Sequence, residues 1–134
     1  MFKLIKIIHS GVNVPEAQIL SKGERTISRG EALVLSAGKV TPCPTTSLPT
    51  YIALADAKAE DDTVACAMVN PNMVFECPIT EGSATALTVG TKVCLTEKNG
   101  KTVGINSTTT SGVATVYDTL GASAIGDKVL LTFR

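Results

Sequence analysis

The chain has no tryptophan, a single histidine and no net charge, and each shortage removes a class of function. Its only aromatic residues are Phe2, Tyr51, Phe75, Tyr117 and Phe133. Rings this few and this scattered do not make the stacking platform of a single-strand nucleic-acid binder. The 12 basic and 12 acidic residues cancel, and the basic ones form no stripe. A nucleic-acid binder draws much of its affinity from neutralising phosphates and releasing counterions, so nucleic acid is not an expected partner. A membrane is not one either, because no window supplies the roughly 20 apolar residues of a spanning helix. Met1–Ile8, MFKLIKII, is too short for a secretory signal and is interrupted at once by His9 and Ser10. Synthesis in a cytoplasm is expected.

Chemically useful constellations are scarce too. Cys43, Cys66, Cys77 and Cys94 contain no C-x-x-C pair, and His9 is the only imidazole, so no metal centre is expected. Disulfides are uncommon in cytoplasmically assembled proteins. Cys66, Cys77 and Cys94 fall in apolar runs, where a free thiol acts as a small hydrophobe. His9 has no nucleophile motif beside it. Asp56, Glu60, Asp61 and Asp62 are the densest acidic group but lack the spacing of a calcium loop, and read as a solvated turn. Gly100–Gly104 reads GKTVG without the upstream glycine loop or following helix of a phosphate cradle. The expectation is no enzyme, no cofactor and no metal.

What the chain does have is Thr, Val, Gly and Ser, arranged as short alternating runs between turn signals. Glu31–Cys43 contains two such runs around Ser36, Ala37 and Gly38, with Gly38 free to take positive φ. Tyr51, Ile52 and Leu54 suggest a short buried strand. In Thr63–Val69, alternation puts Val64, Cys66 and Met68 on one face. Asn70-Pro71-Asn72 is a strong turn signal, and the strands on either side of it are expected to pair antiparallel. Asn99-Gly100 is the best short hairpin signal available, since a type I′ turn needs positive φ at both central residues. Ser111–Asp118 and Asp127–Phe133 are the last two strands, with Thr119–Gly126 as a loop or single helical turn between them. No stretch keeps the i, i+3, i+4 spacing of a helix. A weak echo links Gly30-Glu-Ala-Leu-Val-Leu, Gly90-Thr-Lys-Val-Cys-Leu and Gly126-Asp-Lys-Val-Leu-Leu: a turn glycine feeding a strand with a defined inward face. The fold class expected is all-β, a small β-barrel or sandwich built of hairpins.

Residues 1–29 differ from the rest. Phe2, Leu4 and Ile7 or Ile8 alternate with Lys3 and Lys6 as in a strand, and then Gly11, Asn13, Pro15 and Gly23 break regularity. The division expected is an extended amino-terminal arm, 1–29, and a β-barrel or sandwich domain, 30–134. The arm either adds a strand to its own barrel or lies along a neighbouring subunit.

Gly30–Cys43 (GEALVLSAGKVTPC), Pro49–Ile79 (PTYIALADAKAEDDTVACAMVNPNMVFECPI) and Val89–Arg134, ending GDKVLLTFR, together resemble the small capsid decoration, or cement, proteins of tailed bacteriophages. The MFKLIKI opening and Asn13–Glu16 (NVPE) extend the resemblance over nearly the whole chain. One departure is Glu60-Asp61-Asp62, where the family more often has glycine. The resemblance implies a virion protein on the outer capsid surface, assembled in the bacterial cytoplasm. Its implied partners are the major capsid protein and, as a homotrimer, itself. In that reading the arm supplies the capsid contact through Phe2, Leu4, Ile5, Ile7, Val12, Asn13, Val14 and Pro15, since exposed apolar segments mark interaction sites. Two alternatives remain open at this point: another virion module, such as a head-fibre base, tail or baseplate domain, and a glycan-binding β domain.

Overall fold

The computed structural model describes residues 1–8, 17–83, 85, 87–108 and 112–134. No α-helix occurs among them. The strands in chain order are β1 (Lys3–Ile7), β2 (Ala17–Ser21), β3 (Ala32–Ser36), β4 (Lys39–Pro42), β5 (Tyr51–Ala53) and β6 (Thr63–Met68), then β7 (Met73–Glu81), β8 (Lys92–Lys98), β9 (Lys101–Asn106), β10 (Ala114–Asp118) and β11 (Lys128–Phe133).

They form two sheets. The larger runs β1-β7-β11-β10-β8-β9 and closes on itself where β9 pairs in parallel with the end of β7, Ile79 opposite Ile105. The five strands from β7 to β9 are therefore a closed barrel. Its interior is filled by Phe75, Cys77, Ile79, Val93, Leu95, Ile105, Val116, Val129 and Leu131, all buried. Each large aliphatic removed from water in this way stabilises the fold by about 1.5–3 kcal/mol. β1 takes the same edge of β7 nearer its start, with Leu4 opposite Phe75.

The second sheet runs β2-β6-β5-β3-β4 and curls until Lys22, just past β2, forms one parallel bridge with Val40 on β4. The curl encloses a smaller core of Ile27, Leu33, Val40, Tyr51, Ala53, Ala57, Val64 and Cys66. Its other face brings Ala32 and Ile52 onto the barrel core. The three phenylalanines meet in that same core: Phe133 lies 5.3 Å from Phe2 and 5.2 Å from Phe75, ring centre to ring centre, in edge and tilted geometries.

The turn chemistry behaves as the sequence leads one to expect. Ala37-Gly38 (φ 48° and 77°) and Asn99-Gly100 (φ 54° and 73°) have the paired positive φ of type I′ hairpins. β10 and β11 pair antiparallel across the Thr119–Gly126 loop. The threefold echo is a real structural repeat. Gly30, Gly90 and Gly126 have φ of 79°, 88° and 97°. Each is the third residue of a β-turn, closed by Glu31 N to Ser28 O, Thr91 N to Thr88 O and Asp127 N to Ala124 O. Each glycine then donates to a carbonyl on the adjacent strand (Ala53, Val116 or Ile79), and that residue's amide donates back to the residue after the glycine. This is a type II turn running into a glycine bulge, and it delivers the chain into a strand with its inward face set.

Other expectations are corrected. Asn70–Asn72 does turn, with Met73 N bonded to Asn70 O at 3.1 Å, but the strands it joins do not pair. β6 already has β2 on one edge and β5 on the other, so no edge remains for β7, which enters the barrel instead. Leu54 (39% exposed) and Met68 (47%) are not buried with their strands. Ala53 is the inward residue at the end of β5, so alternation turns Leu54 outward, and Met68 lies beyond the rim of the second core. An extended amino-terminal arm is not confirmed: β1 is a strand of the barrel sheet, β2 is a strand of the second sheet, and Ile27 is in its core.

The three corner glycines differ in a way that mutation will reveal. An added Cβ meets nothing at Gly90 or Gly126, but at Gly30 it falls 2.8 Å from both Met1 Cβ and Phe2 O. Gly90→Ala and Gly126→Ala should each lose about 1–2 kcal/mol of stability, the cost of left-handed backbone alone. Gly30→Ala should lose clearly more, because β1 must also move; urea unfolding of the three variants makes the comparison.

Candidate functional site

The residues expected to contact a capsid divide into three groups. Phe2 is 3% exposed and is held in the core against Phe133. Leu4 and Ile7 are half-buried against the same core. Ile5, by contrast, is 42% exposed, at the bulge where the β1–β7 register shifts between Leu4 and Lys6. Val12, Asn13, Val14 and Pro15 lie outside the described residues, as does His9. Of the expected contact residues on β1, then, only Ile5 is exposed, beside the exposed Lys3 and Lys6. Alternation alone would have put Ile5 on the face of Lys3 and paired it out of the core, but it could not reveal that Phe2 closes the barrel.

Between the two sheets lies a polar junction that the sequence did not announce. Glu31, the residue after the first corner glycine, is fully buried and forms an ion pair with Arg25. Its other oxygen accepts from the Ser28 amide at 3.2 Å. Arg25 also donates to Gly100 O at 3.3 Å, and Lys101 donates to the Ser28 hydroxyl, so the Asn99-Gly100 hairpin of the barrel is tied to the loop that precedes β3. A second tether runs from the buried Thr102 hydroxyl to Cys43 O at 2.6 Å. Lys22 is also buried, and its ammonium donates to the carbonyls of Gly23, Arg25 and Ala59 at 3.1, 2.9 and 3.4 Å. A charge removed from water needs such partners, and here backbone oxygens supply them. The only sequence signal for this junction was a Glu set directly before an apolar run.

The other candidate groups are structural. Asp56 accepts from the Arg29 amide and Asp61 from the Lys58 amide, each at 2.7 Å, so these carboxylates cap turns. No group of three or more His, Cys, Asp or Glu side chains able to hold a metal occurs among the described residues. Cys43, Cys66 and Cys77 are free thiols, all buried. Burial pushes Cys43 up to about 12 and Cys66 up to about 11, and raises Cys77 as well. Thiolates are the reactive form, so these three are held in the unreactive one.

Two hollows follow the seam between the sheets. The first, of about 480 Å³, lies between β1 and the β5–β6 side of the second sheet and is bordered by Leu4, Ile52, Leu54, Ala67 and Met73, with Lys3 and Arg29 at its rim. The second, of about 340 Å³, is bordered by Ser28, Thr80, Lys98, Asn99 and Lys101. Met1 borders both. These hollows and exposed apolar residues such as Ile5, Ile19 and Val89 are among the surfaces this fold offers to a partner.

Arg25→Met should cost about 3 kcal/mol or more, because it leaves Glu31 charged, buried and unpaired, whereas Arg25→Met with Glu31→Leu should recover most of the loss. Chemical denaturation of the two single variants and the double variant measures this. The thiols give a pH signature. Their native values are raised above the ordinary 9.0, so their contribution is complete below that value and disappears as pH rises through the native values. Melting temperature should therefore hold below about pH 9 and fall as pH rises from there toward 12. At pH 8 a thiol reagent should leave Cys43, Cys66 and Cys77 unmodified until the protein is unfolded.

No protein-family model matches the chain, and a search of curated proteins finds no match.

Proposed function

We propose that this chain is a structural accessory protein of a tailed-phage head, which binds the outer capsid surface and bridges major capsid subunits. The observation that carries the reading is the set of turn-and-strand frames at Gly30, Gly90 and Gly126, which lie in the segments resembling decoration proteins and which form the corners of the body. A rigid body with short connections suits a clamp on a lattice. Each copy contributes a modest interface, and many copies acting together resist expansion of the shell through multivalency. Copies related by a threefold axis would meet the lattice through equivalent contacts.

Within this reading the capsid contact falls to Ile5 and the Val12–Pro15 stretch, while Phe2, Leu4 and Ile7 serve to anchor β1 to the body. Removing Met1–Val14 altogether would strip a strand from β7 and a ring from the core, so a finer change is required. Replacing Val12, Asn13, Val14 and Pro15 with glycine and serine, with β1 left intact, should leave the unfolding midpoint unchanged. It should abolish co-sedimentation with expanded heads that lack the accessory protein. Undiminished occupancy by this variant would remove the contact from the stretch, and failure of the unaltered protein to sediment with the heads would remove the function.

A further inference from the structure

We infer that the end of the barrel carrying the Thr88–Thr91 and Thr119–Gly126 turns is a second contact with the shell, in which Val89, Leu120 and Ile125 enter an apolar socket on a neighbouring major capsid subunit. The inference rests on the head-decoration reading and deepens it, since a bridge needs two footholds and that reading supplies one.

Residue choice is the first support. Val89 and Ile125 each precede a corner glycine, at the first central position of a type II turn. That position asks only for a φ of about −60°, which proline pre-sets, and gains nothing from a β-branched apolar side chain. Yet Val89 is 67% exposed and Ile125 is 52% exposed. The equivalent residue at the third corner is the exposed Arg29. Leu120 is the sharper case. With Gly121 it forms a type I′ turn, φ 52° and 73°, closed by Ala122 N to Thr119 O at 2.9 Å. The turns at Gly38 and Gly100 place Ala37 and Asn99 there, and Leu120 is the one large apolar side chain among the described residues held at positive φ. It too is 52% exposed. Left-handed backbone costs stability in a residue with a side chain, and an exposed leucine returns none of it.

Placement is the second support. β10 brings the two turns side by side: the Gly90 amide donates to Val116 O on one flank at 2.8 Å, and Asp118 lies opposite Leu130 on the other. The tips are held in position. Asp118 accepts from the Leu120 amide at 2.9 Å, and Asp127 accepts from the Ser123 and Ala124 amides at 2.8 and 2.9 Å. The Gly126 amide donates to Ile79 O at 2.7 Å. Apolar groups already fixed in place lose less freedom on binding. This end of the barrel holds the end of β7, whereas the chain leaves β1 beside Asn72, just ahead of the start of β7, and re-enters at Ala17 opposite Ala67. The Val12–Pro15 stretch is therefore tethered at the other end, with the nine residues of β7, roughly 25 Å, between the two contacts.

Charge selects the occupant. Thr88–Thr91 carries no charge, and Asp118 and Asp127 are the only charged residues of Asp118–Asp127. The Ser123 and Ala124 amides hold the Asp127 carboxyl below the usual carboxylate range, which keeps it ionised. Of the adjoining cations, Lys128 is taken by Glu76 at 2.8 Å, which leaves Lys92. A lipid headgroup or a nucleic acid would need a basic excess, and this end has none. Two copies meeting through it would set the aspartates of one against those of the other. A different protein with an apolar socket meets neither objection.

The test compares the full-length protein with two variants, Leu120→Asn alone and the combination of Val89→Ser, Leu120→Asn and Ile125→Ser, on expanded heads that lack the accessory protein. Leu120→Asn should raise the unfolding midpoint, because asparagine tolerates left-handed backbone, and the triple variant should unfold no earlier than the unaltered protein. Affinity for the heads should nonetheless fall about tenfold in the triple variant and several-fold in Leu120→Asn. A lowered midpoint would make these side chains structural. A changed sedimentation coefficient of the free triple variant would make this end a contact between copies, and binding of the unaltered protein to phosphatidylglycerol vesicles through the same residues would make it a lipid site; each overturns the inference. Undiminished affinity of the triple variant sinks the inference alone, whereas failure of the unaltered protein to bind removes the head-decoration reading and the inference with it.

Discussion

Three constraints converge on Gly30. Its amide donates to Ala53 O in the second sheet, and its carbonyl accepts from the Phe2 amide at the start of the barrel sheet. Its φ of 79° is one that a side chain tolerates badly. The space a Cβ would need is already filled by Met1 and the Phe2 backbone. The two sheets are therefore joined backbone to backbone at one residue, and the approach is close enough that Phe2 can reach Phe133. Moving Gly30 would lift β1 from β7, open the phenylalanine cluster and expose the face of the second sheet that carries Ala32 and Ile52.

Around that crossing, polar and apolar contacts have distinct tasks. The phenylalanine cluster and the aliphatic barrel core supply most of the burial. The Arg25–Glu31 pair and the Lys101–Ser28 contact set the angle at which the hairpin of β8 and β9 meets the loop before β3. A buried ion pair contributes little net stability against an apolar replacement, but breaking one side of it is costly, so it enforces a particular arrangement.

Legibility varied with the kind of information a feature needs. The type I′ hairpin at Asn99-Gly100 was readable because positive φ at two successive residues is a local demand with a local chemical answer, whereas at Ala37-Gly38 only the glycine's positive φ was readable and that of Ala37 was not. The corner frames at Gly30, Gly90 and Gly126 were readable for the same reason. Asn70-Pro71-Asn72 was readable as a turn but not as a change of sheet, because a turn signal says that the chain reverses and not whether its flanking strands become partners. Phe2 was the hardest case. On the page it is one apolar residue in a short alternating run, and an exposed arm and a buried closing strand have the same pattern.

The sequence by itself determined the all-β class, the main hairpins and the places where only glycine fits, since those follow from backbone sterics over a few residues. Tertiary structure alone decided which strand lies beside which, that Glu31 and Lys22 are buried, and that Phe2 belongs to the core. Each of these depends on groups far apart in the chain competing for a limited number of strand edges and a limited interior volume. A strand has two edges, and once β2 and β5 had taken those of β6, the remaining topology followed.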